Sequence, residues 1–217
     1  MNTKQPFVIT ISRELGSGGR TIGQKLAAQL GVRFSDKNLI KALMLRFNLT
    51  TYEIERIKAK DSNWFTDFLE MAAPMPGTSS FVGFEAAGGN DWNRRISQKE
   101  IFEAEAEILK GIAHEGSCVI TGRSGFHVLK DHPNKLNIFI IAPLEKRIER
   151  VMQKQGVSRE EAATIIKSVD EGRERFVKRF AGVSRYDARN YDLVLNVAEL
   201  TDDEAVHLIL KFIKCTD

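Results

Sequence analysis

Residues 7–30 read FVITISRELGSGGRTIGQKLAAQL and carry the strongest structural signal in the chain. The first part of this stretch is an apolar run typical of a buried strand, and its last part carries apolar residues at helical spacing. Between them lie three glycines, an arginine and a threonine: Gly16, Gly18, Gly19, Arg20 and Thr21. Glycine lets a backbone approach an anion closely, and the first N–H groups of a helix point at that anion. The stretch therefore predicts a phosphate-binding loop between a strand and a helix.

The loop departs from the common phosphate-loop pattern, G-x-x-x-x-G-K-[ST]. Aligned on Gly19, the chain has Glu14 at the first glycine and Arg20 at the lysine. The alternative is a tight turn that uses glycine for its positive φ alone. Three glycines in four residues, beside an arginine and a threonine, are more than such a turn needs, so phosphate binding is favoured.

Composition narrows the class of protein. The 217 residues fit one α/β domain, and the net charge of +3 is too small to argue for nucleic acid. The two cysteines form neither a disulfide framework nor a metal-ligand spacing. We see no signal peptide and no apolar run long enough for a membrane span. We expect a reduced cytoplasmic protein with no nucleic-acid or membrane partner; no feature of the sequence sets an oligomeric state.

Short apolar runs alternate with helical patterns along the chain. The predicted strands are 7–11, 32–34, 117–121, 136–142 and 192–197, and the later helices are 98–114, 143–154, one opening at Ser158 and one at Thr201. Continuous apolar runs are typical of strands that are buried on both faces of a parallel sheet. The alternation predicts a doubly wound α/β fold of three layers, in which ligands bind at the carboxyl ends of the strands.

One segment breaks this alternation. Two helices are predicted at 37–47 and 50–60, and no strand follows them before residue 98. Residues 72–92 hold two prolines and four glycines, so we expect a mobile loop there. We interpret 37–97 as an insert over the ligand cleft. Its dense aromatic residues form either a small satellite core or the wall of a pocket for a planar ligand.

Charged residues follow several of the predicted strands. Asp36 follows the second strand, where it can accept from a sugar or base donor or simply cap the next helix. Arg123 follows the third strand and Gly122, a position typical of anion binding. Arg147 and Arg150 are three residues apart and share a helix face, which is either a ligand-facing pair or a solvated basic face. Together with the glycine loop, these residues indicate phosphoryl transfer, which depends on positioning and charge neutralisation.

The chain resembles the cytidylate kinase family of nucleoside monophosphate kinases, in its divergent cytidylate-kinase-like branch. The family's loop, close to GSGKGT, is similar to GSGGRT at 16–21, and its helix to IGQKLAAQLG at 22–31. Its motif after the second strand resembles Phe34-Ser35-Asp36-Lys37, and its G-R-D after the third resembles Gly122-Arg123-Ser124. Its lid arginines resemble Arg147 and Arg150, its D-x-x-R resembles Asp170 to Arg173, and its closing strand resembles 191–196.

This resemblance implies one P-loop kinase domain over 1–217, with a lid near 145–157. It implies transfer of the γ-phosphoryl of ATP, with Mg²⁺, to a nucleoside monophosphate, CMP or dCMP first. The donor-phosphate residues would be Gly16, Ser17, Gly18, Gly19 and Arg20, with Thr21 placing Mg²⁺. Arg20, Arg147 and Arg150 would be catalytic, and the acceptor would be bound by Asp36, Arg123, Asp170 and Arg173.

The departures from the family pattern leave alternatives open. Registered on the helix, the family's lysine falls on Gly19, and Ser124 replaces an acid. A nucleotide-binding protein without kinase activity, or a kinase for a different small acceptor, is therefore the alternative. A Rossmann oxidoreductase is disfavoured, since Gly16 lies too far beyond the strand for that turn and Thr21 replaces the third glycine.

Overall fold

The computed structural model describes residues 1–35, 37–50 and 96–216. Five strands and seven α-helices follow one another in these ranges, with a short 3-10 helix at Ala188–Asn190 before the last strand. In chain order they are β1 (Val8–Arg13), α1 (Gly19–Leu30), β2 (Arg33–Ser35), α2 (Lys37–Phe47), α3 (Gln98–His114), β3 (Cys118–Thr121), α4 (Gly125–Val128), β4 (Lys135–Ile141), α5 (Leu144–Gln155), α6 (Arg159–Ala181), β5 (Leu193–Asn196) and α7 (Asp202–Thr216).

The five strands form one parallel sheet in the order β2-β3-β1-β4-β5. β1 is central, with Val8 opposite Cys118 of β3 and Lys135 of β4. All carboxyl ends therefore lie along one edge of the sheet. The predicted doubly wound α/β fold is confirmed.

β1 extends two residues beyond the predicted strand. The apolar run ends at Ile11, but the ladder with β4 continues, pairing Ser12 with Phe139 and Arg13 with Ile140. Backbone hydrogen bonds with β4 carry the strand through its polar end. Arg13 is consequently the last residue of the central strand and lies at the edge where ligands bind in this fold class.

Alternate residues of the strands face two separate cores. The core on the side of α1 and α7 contains Ile9, Ile11, Ile22, Leu26, Val206 and Ile209. The core on the side of α2 and α3 contains Val8, Leu43, Ile101, Leu109, Cys118 and Ile120. The period-two alternation of a strand divides its side chains between these layers. α1, which follows the glycine loop, is thereby fixed against the centre of the sheet.

Three helices begin with reciprocal side-chain caps. Ser97 and Ser158 form capping boxes with the glutamates three residues later, and Thr201 exchanges the same bonds with Glu204. The helix starts predicted at Ser158 and Thr201 are confirmed. Pro143, predicted as a first helical residue, is instead the N-cap of α5, a one-residue difference at a helix boundary. α1 has no such cap.

Part of the predicted insert lies outside the described residues: the helix at 50–60, the loop at 72–92 and most of the aromatic residues. Within the described part, α2 packs against α3, with Leu43 fully buried. In the described ranges, no helix is long and apolar enough to cross a membrane.

The two cysteines have opposite environments. Cys118 is buried in β3, whereas Cys215 near the end of α7 is exposed. Burial raises the pKa of the Cys118 thiol from 9.0 to about 11, against the smaller opposing effect of the Arg33 charge. Because the thiolate is the reactive form, Cys118 is protected both by access and by protonation.

We therefore expect Ellman's reagent at pH 8 to label one thiol of the native protein rapidly and two in denaturant. Cys215→Ser should remove the rapid phase and leave the slow one, which reports exposure of β3. Rapid labelling of the native Cys215→Ser variant would contradict the burial of Cys118.

Candidate active site

The glycine loop, residues 14–19, ends at an uncapped helix. Gly16 and Gly18 both have φ of 82°, in the left-handed region. Gly18 is the N-cap of α1, makes no side-chain cap bond, and no acidic residue follows in the first turn. The first N–H groups of a helix have no partner within it, and here Ile22 is the first to bond back, to the Gly18 carbonyl. This end of α1 presents donors and a positive dipole to an anion.

Two glycines of the loop lie directly against arginines of α5. A Cβ on Gly16 would lie 2.7 Å from the Arg147 carbonyl oxygen, and a Cβ on Gly18 would lie 2.0 Å from Arg150 Nη1. Arg150 is also paired with Asp202 at the start of α7, at 3.2 Å. The glycines are needed for space as well as for their φ angles. α5 thus brings two cations to the loop.

Gly19 contacts a third arginine, from β1. A Cβ on Gly19 would lie 2.6 Å from the Cβ of Arg13. At the other end of the same side chain, a Cβ on Gly122 would lie 2.0 Å from Arg13 Nη1. Arg13 therefore extends along the carboxyl edge of the sheet from the glycine loop to the end of β3.

Asp170 of α6 joins the loop to these cations. Its carboxylate accepts from Arg147 Nη1 at 2.6 Å, from Arg173 Nη1 at 3.2 Å and from the Leu15 N–H at 3.0 Å, and is 6% exposed. Arg185 Nη1 lies 3.5 Å away. A buried carboxylate with these partners holds the loop backbone against α5 and α6. Removing one member of a buried ion pair typically costs about 3–5 kcal/mol.

The end of β1 is fixed by α6 and by the segment that follows this helix. The Arg13 carbonyl oxygen accepts from Arg173 Nη1 at 3.2 Å and from Arg185 Nη2 at 2.5 Å. Burial, and then the charge of Arg185, lower the pKa of Arg173 to about 10, although Asp170 opposes this. Arg173 therefore stays charged at neutral pH. The backbone of Arg13 is thus held by two guanidinium groups.

Glu14 connects the loop to β4. Its carboxylate accepts from the Ala142 N–H at 3.1 Å and lies 3.6 Å from Arg147 Nε, while its carbonyl accepts from Ser17 Oγ at 2.9 Å. Ser17, predicted to bind the donor phosphate, is fully buried in this turn. Its side chain closes the loop on itself, which leaves the backbone N–H groups as the donors that a phosphate would meet.

The turn after β3 is strained. Gly122, Arg123 and Ser124 have φ of 75°, 57° and 53°, three left-handed residues in succession. Arg123 Nη1 bonds to Oε1 of Glu105 at 3.1 Å, and Glu105 is 1% exposed. The Ser124 hydroxyl is buried with no hydrogen-bond partner among the described residues. Left-handed backbone costs about 1–3 kcal/mol at a residue other than glycine, here Arg123 and Ser124, and such residues concentrate at functional sites. The turn is therefore a candidate for ligand contact.

The structure brings most of the predicted site residues to one edge of the sheet. Arg147 and Arg150 contact the glycine loop, and Asp170 accepts hydrogen bonds from Arg147, Arg173 and the Leu15 N–H. Arg20 is exposed on α1, and Thr21 is partly exposed. Arg147 is 9% exposed, so it does not belong to a solvated basic face. Lys25, further along α1, donates to a carboxylate oxygen of Asp203 on α7 rather than to the loop. Asp36 lies outside the described residues.

Sequence reasoning missed Arg13, Glu14 and Arg185. The sequence pattern assigns Arg13 no role and places Glu14 at the first glycine of the loop pattern, although Arg13 is paired in the sheet. The sequence does hold a signal for Arg13, a charged residue two positions after the end of a buried apolar run. Arg185 carried no comparable signal, because its partners Asp170 and Arg13 are distant in sequence.

Comparisons with known proteins give matches over most of the chain. The model of the cytidylate kinase-like family matches residues 8–199. A cytidylate kinase of Ignicoccus hospitalis is 25% identical over 207 residues, which cover 95% of this chain and 98% of that protein. A uronate isomerase of Corynebacterium glutamicum is 36% identical over 119 residues, 55% of this chain, but the chain spans just 23% of that protein's length.

Solved structures share the fold. An uncharacterized protein from Eubacterium ventriosum superposes with a TM-score of 0.65 at 22% identity, over 96% of this chain and 98% of that one. A shikimate kinase from Bacteroides thetaiotaomicron superposes with a TM-score of 0.52 at 16% identity, over 96% and 98% of the two chains. These likenesses concern the architecture. Because the family model covers most of the chain, we conclude that this protein belongs to the cytidylate kinase-like family and is an enzyme with a P-loop kinase fold.

Proposed function

We propose that this protein transfers the γ-phosphoryl group of ATP to a nucleoside monophosphate, with CMP or dCMP as the first acceptor. The observation that carries the proposal is the uncapped start of α1 behind the glycine loop, with Arg13, Arg147 and Arg150 against its glycines. The archaeal relatives named cytidylate kinase support the choice of acceptor.

The donor site fits a nucleotide triphosphate tail. The N–H groups at the start of α1 would hold the β-phosphate, with Arg20 beside them. Among the described residues, no three acidic, histidine or cysteine side chains cluster to bind a metal. Mg²⁺ would therefore rest on phosphate oxygens, waters and Thr21, as it commonly does in kinases. When bound, the ion neutralises phosphate charge.

Arg147 and Arg150 would have different tasks. The Arg150 side chain is 32% exposed and its guanidinium lies on Gly18, so it is placed to neutralise charge on the transferring group. Arg147 is buried on Asp170 and the Leu15 carbonyl, so it supports the loop. Charges held in place before the reaction need no reorganisation during it, which is the main source of electrostatic catalysis.

The acceptor would bind at the carboxyl ends of β2 and β3. Glu105 holds one edge of the Arg123 guanidinium, and a planar guanidinium can grip a phosphate through two parallel bonds. Asp36 remains a predicted acceptor contact. Asp170 and Arg173 were predicted to bind the acceptor; their contacts with Leu15, Arg147 and the Arg13 carbonyl support a positioning role as well.

The cytoplasmic location remains part of the proposal. It is supported by the two free cysteines, which lie in separate elements and form no disulfide. Reduced thiols are the rule in that compartment.

One observation favours a second candidate function, nucleotide binding without transfer: Gly19 stands at the lysine position of the family's loop. We expect single-turnover assays with Mg²⁺-ATP and a panel of CMP, dCMP, UMP, AMP and shikimate to form phosphorylated CMP or dCMP fastest. Stabilisation by ADP with no transfer to any acceptor would instead support the second function, and transfer to shikimate alone would identify a different acceptor.

Replacing Arg123 by Lys should raise the KM for the acceptor at least tenfold and leave ATP affinity within twofold. A lysine has the charge but lacks the fork that grips a phosphate. Initial rates at varied acceptor and ATP binding by calorimetry measure the two effects. Equal weakening of ATP and acceptor would refute the acceptor role of Arg123.

Replacing Asp170 by Asn should destabilise the protein by about 3 kcal/mol, because Arg147 and Arg185 would lose their buried counter-charge. The melting temperature should fall by on the order of 10 °C, and ATP binding should weaken at temperatures where the variant is still folded. Asp203→Asn, which breaks an exposed pair with Lys25, is the matched control and should change neither quantity. A folded Asp170→Asn variant with unchanged melting and ATP affinity would show that the carboxylate does not hold the loop.

A further inference from the structure

We infer that Arg13 is the cation that replaces the phosphate-loop lysine, and that it binds the donor phosphates from the strand side of the loop. This inference rests on the proposed function and adds a residue to it. It also explains how the loop can act without the lysine.

The register of the loop identifies the positions at which this chain differs from the family. With GSGGRT at 16–21 matched to the family's GSGKGT, the lysine position is Gly19. The general spacing G-x-x-x-x-G-K then puts the first glycine five residues before Gly18, at Arg13. The chain therefore has the glycine and the cation at exchanged positions, Arg at 13 and Gly at 19.

Positions 13 and 19 face each other. A Cβ on Gly19 would lie 2.6 Å from the Arg13 Cβ and 3.2 Å from its Cγ. Atoms of this kind do not pack closer than about 3.5 Å without strong repulsion. Only one of the two residues can carry a side chain in this backbone arrangement. The exchange keeps one side chain in the same space and attaches it to β1 instead of α1.

The Arg13 guanidinium lies against Gly122. A Cβ on Gly122 would lie 2.0 Å from Arg13 Nη1 and 3.0 Å from Arg13 Cζ, so the guanidinium fills the space beside Gly122. Gly122 precedes Arg123, the proposed acceptor contact. The guanidinium thus lies between the donor loop and the acceptor side, the region through which a transferring phosphoryl group must pass.

The chemistry of the Arg13 side chain suits a phosphate ligand. A guanidinium stays protonated, and its planar fork can bond two phosphate oxygens at once. The bonds from Arg173 and Arg185 to the Arg13 carbonyl hold its backbone in place. Arg13 can therefore contact a donor phosphate without the long flexible reach that a lysine on α1 would need. The rival cation is Arg20, which is exposed on α1.

The experiment is a double-mutant cycle on positions 13 and 19, read by calorimetric binding of ADP and of inorganic tripolyphosphate and by initial rates with Mg²⁺-ATP. Arg13→Met, which keeps the stem and removes the charge, and Arg13→Gly should each weaken both ligands at least tenfold. Gly19→Lys alone should also weaken them, because its side chain collides with Arg13. The double variant Arg13→Gly/Gly19→Lys should bind at least fivefold more tightly than either of its single variants.

Two controls accompany the cycle. Arg33→Ala removes an arginine at the amino end of β2, which pairs with Glu115, and should change neither binding nor rate. Arg20→Ala tests the rival cation. Thermal melts confirm that each variant is folded.

The outcomes separate this inference from the proposed function. If wild type transfers phosphoryl groups and folded Arg13→Met does so equally well, or if the double variant is no better than its parents, the inference is overturned. A large loss confined to Arg20→Ala would also overturn it. If wild type binds tripolyphosphate through Arg13 but phosphorylates no monophosphate, the proposed function fails and the inference stands. If wild type binds neither ligand, both fail.

Discussion

The buried carboxylate of Asp170 fixes the positions of the glycine loop and of the arginines around it. Three guanidinium groups from different parts of the chain, those of Arg147, Arg173 and Arg185, meet at this one buried anion. Without it they would repel one another in a poorly solvated region. The same carboxylate accepts the Leu15 N–H, so the position of the glycine loop follows from the position of α6. The loop is consequently supported from the helical side of the protein as well as by the strand that precedes it.

Glycine serves two purposes in this support. At Gly16 and Gly18 it permits left-handed backbone, and at Gly16, Gly18 and Gly19 it also leaves the volume that an arginine needs. Accounts of phosphate loops usually stress the first property, together with the close approach of the backbone to the anion. In this protein the crowding of arginines around the loop makes the second equally important. The result is an electropositive cradle whose cations are fixed by packing before any anion arrives.

The sequence predicted the architecture because the strands are short, continuous apolar runs and the glycines mark the turn after the first of them. It could not separate Arg147 from Arg150, since a spacing of three puts both on one helix face and says nothing of which is buried. It also ended β1 at Ile11, because an apolar pattern cannot show a ladder that β4 continues to Arg13. The partners of Asp170 are as much as 155 residues apart from it in sequence, as for Leu15, so no local pattern could reveal them. Asp36 and residues 51–95 lie outside the described part of the chain.

The contact between Gly19 and Arg13 has a consequence for how such loops change over evolutionary time. A loop with glycine on the strand and lysine on the helix cannot become this one through an intermediate that bears both side chains, since they would occupy the same space. The accessible route passes through glycine at both positions, a loop that has lost its cation before gaining another. On such a route, neighbouring arginines such as Arg150 would supply the positive charge at the loop while both positions are glycine.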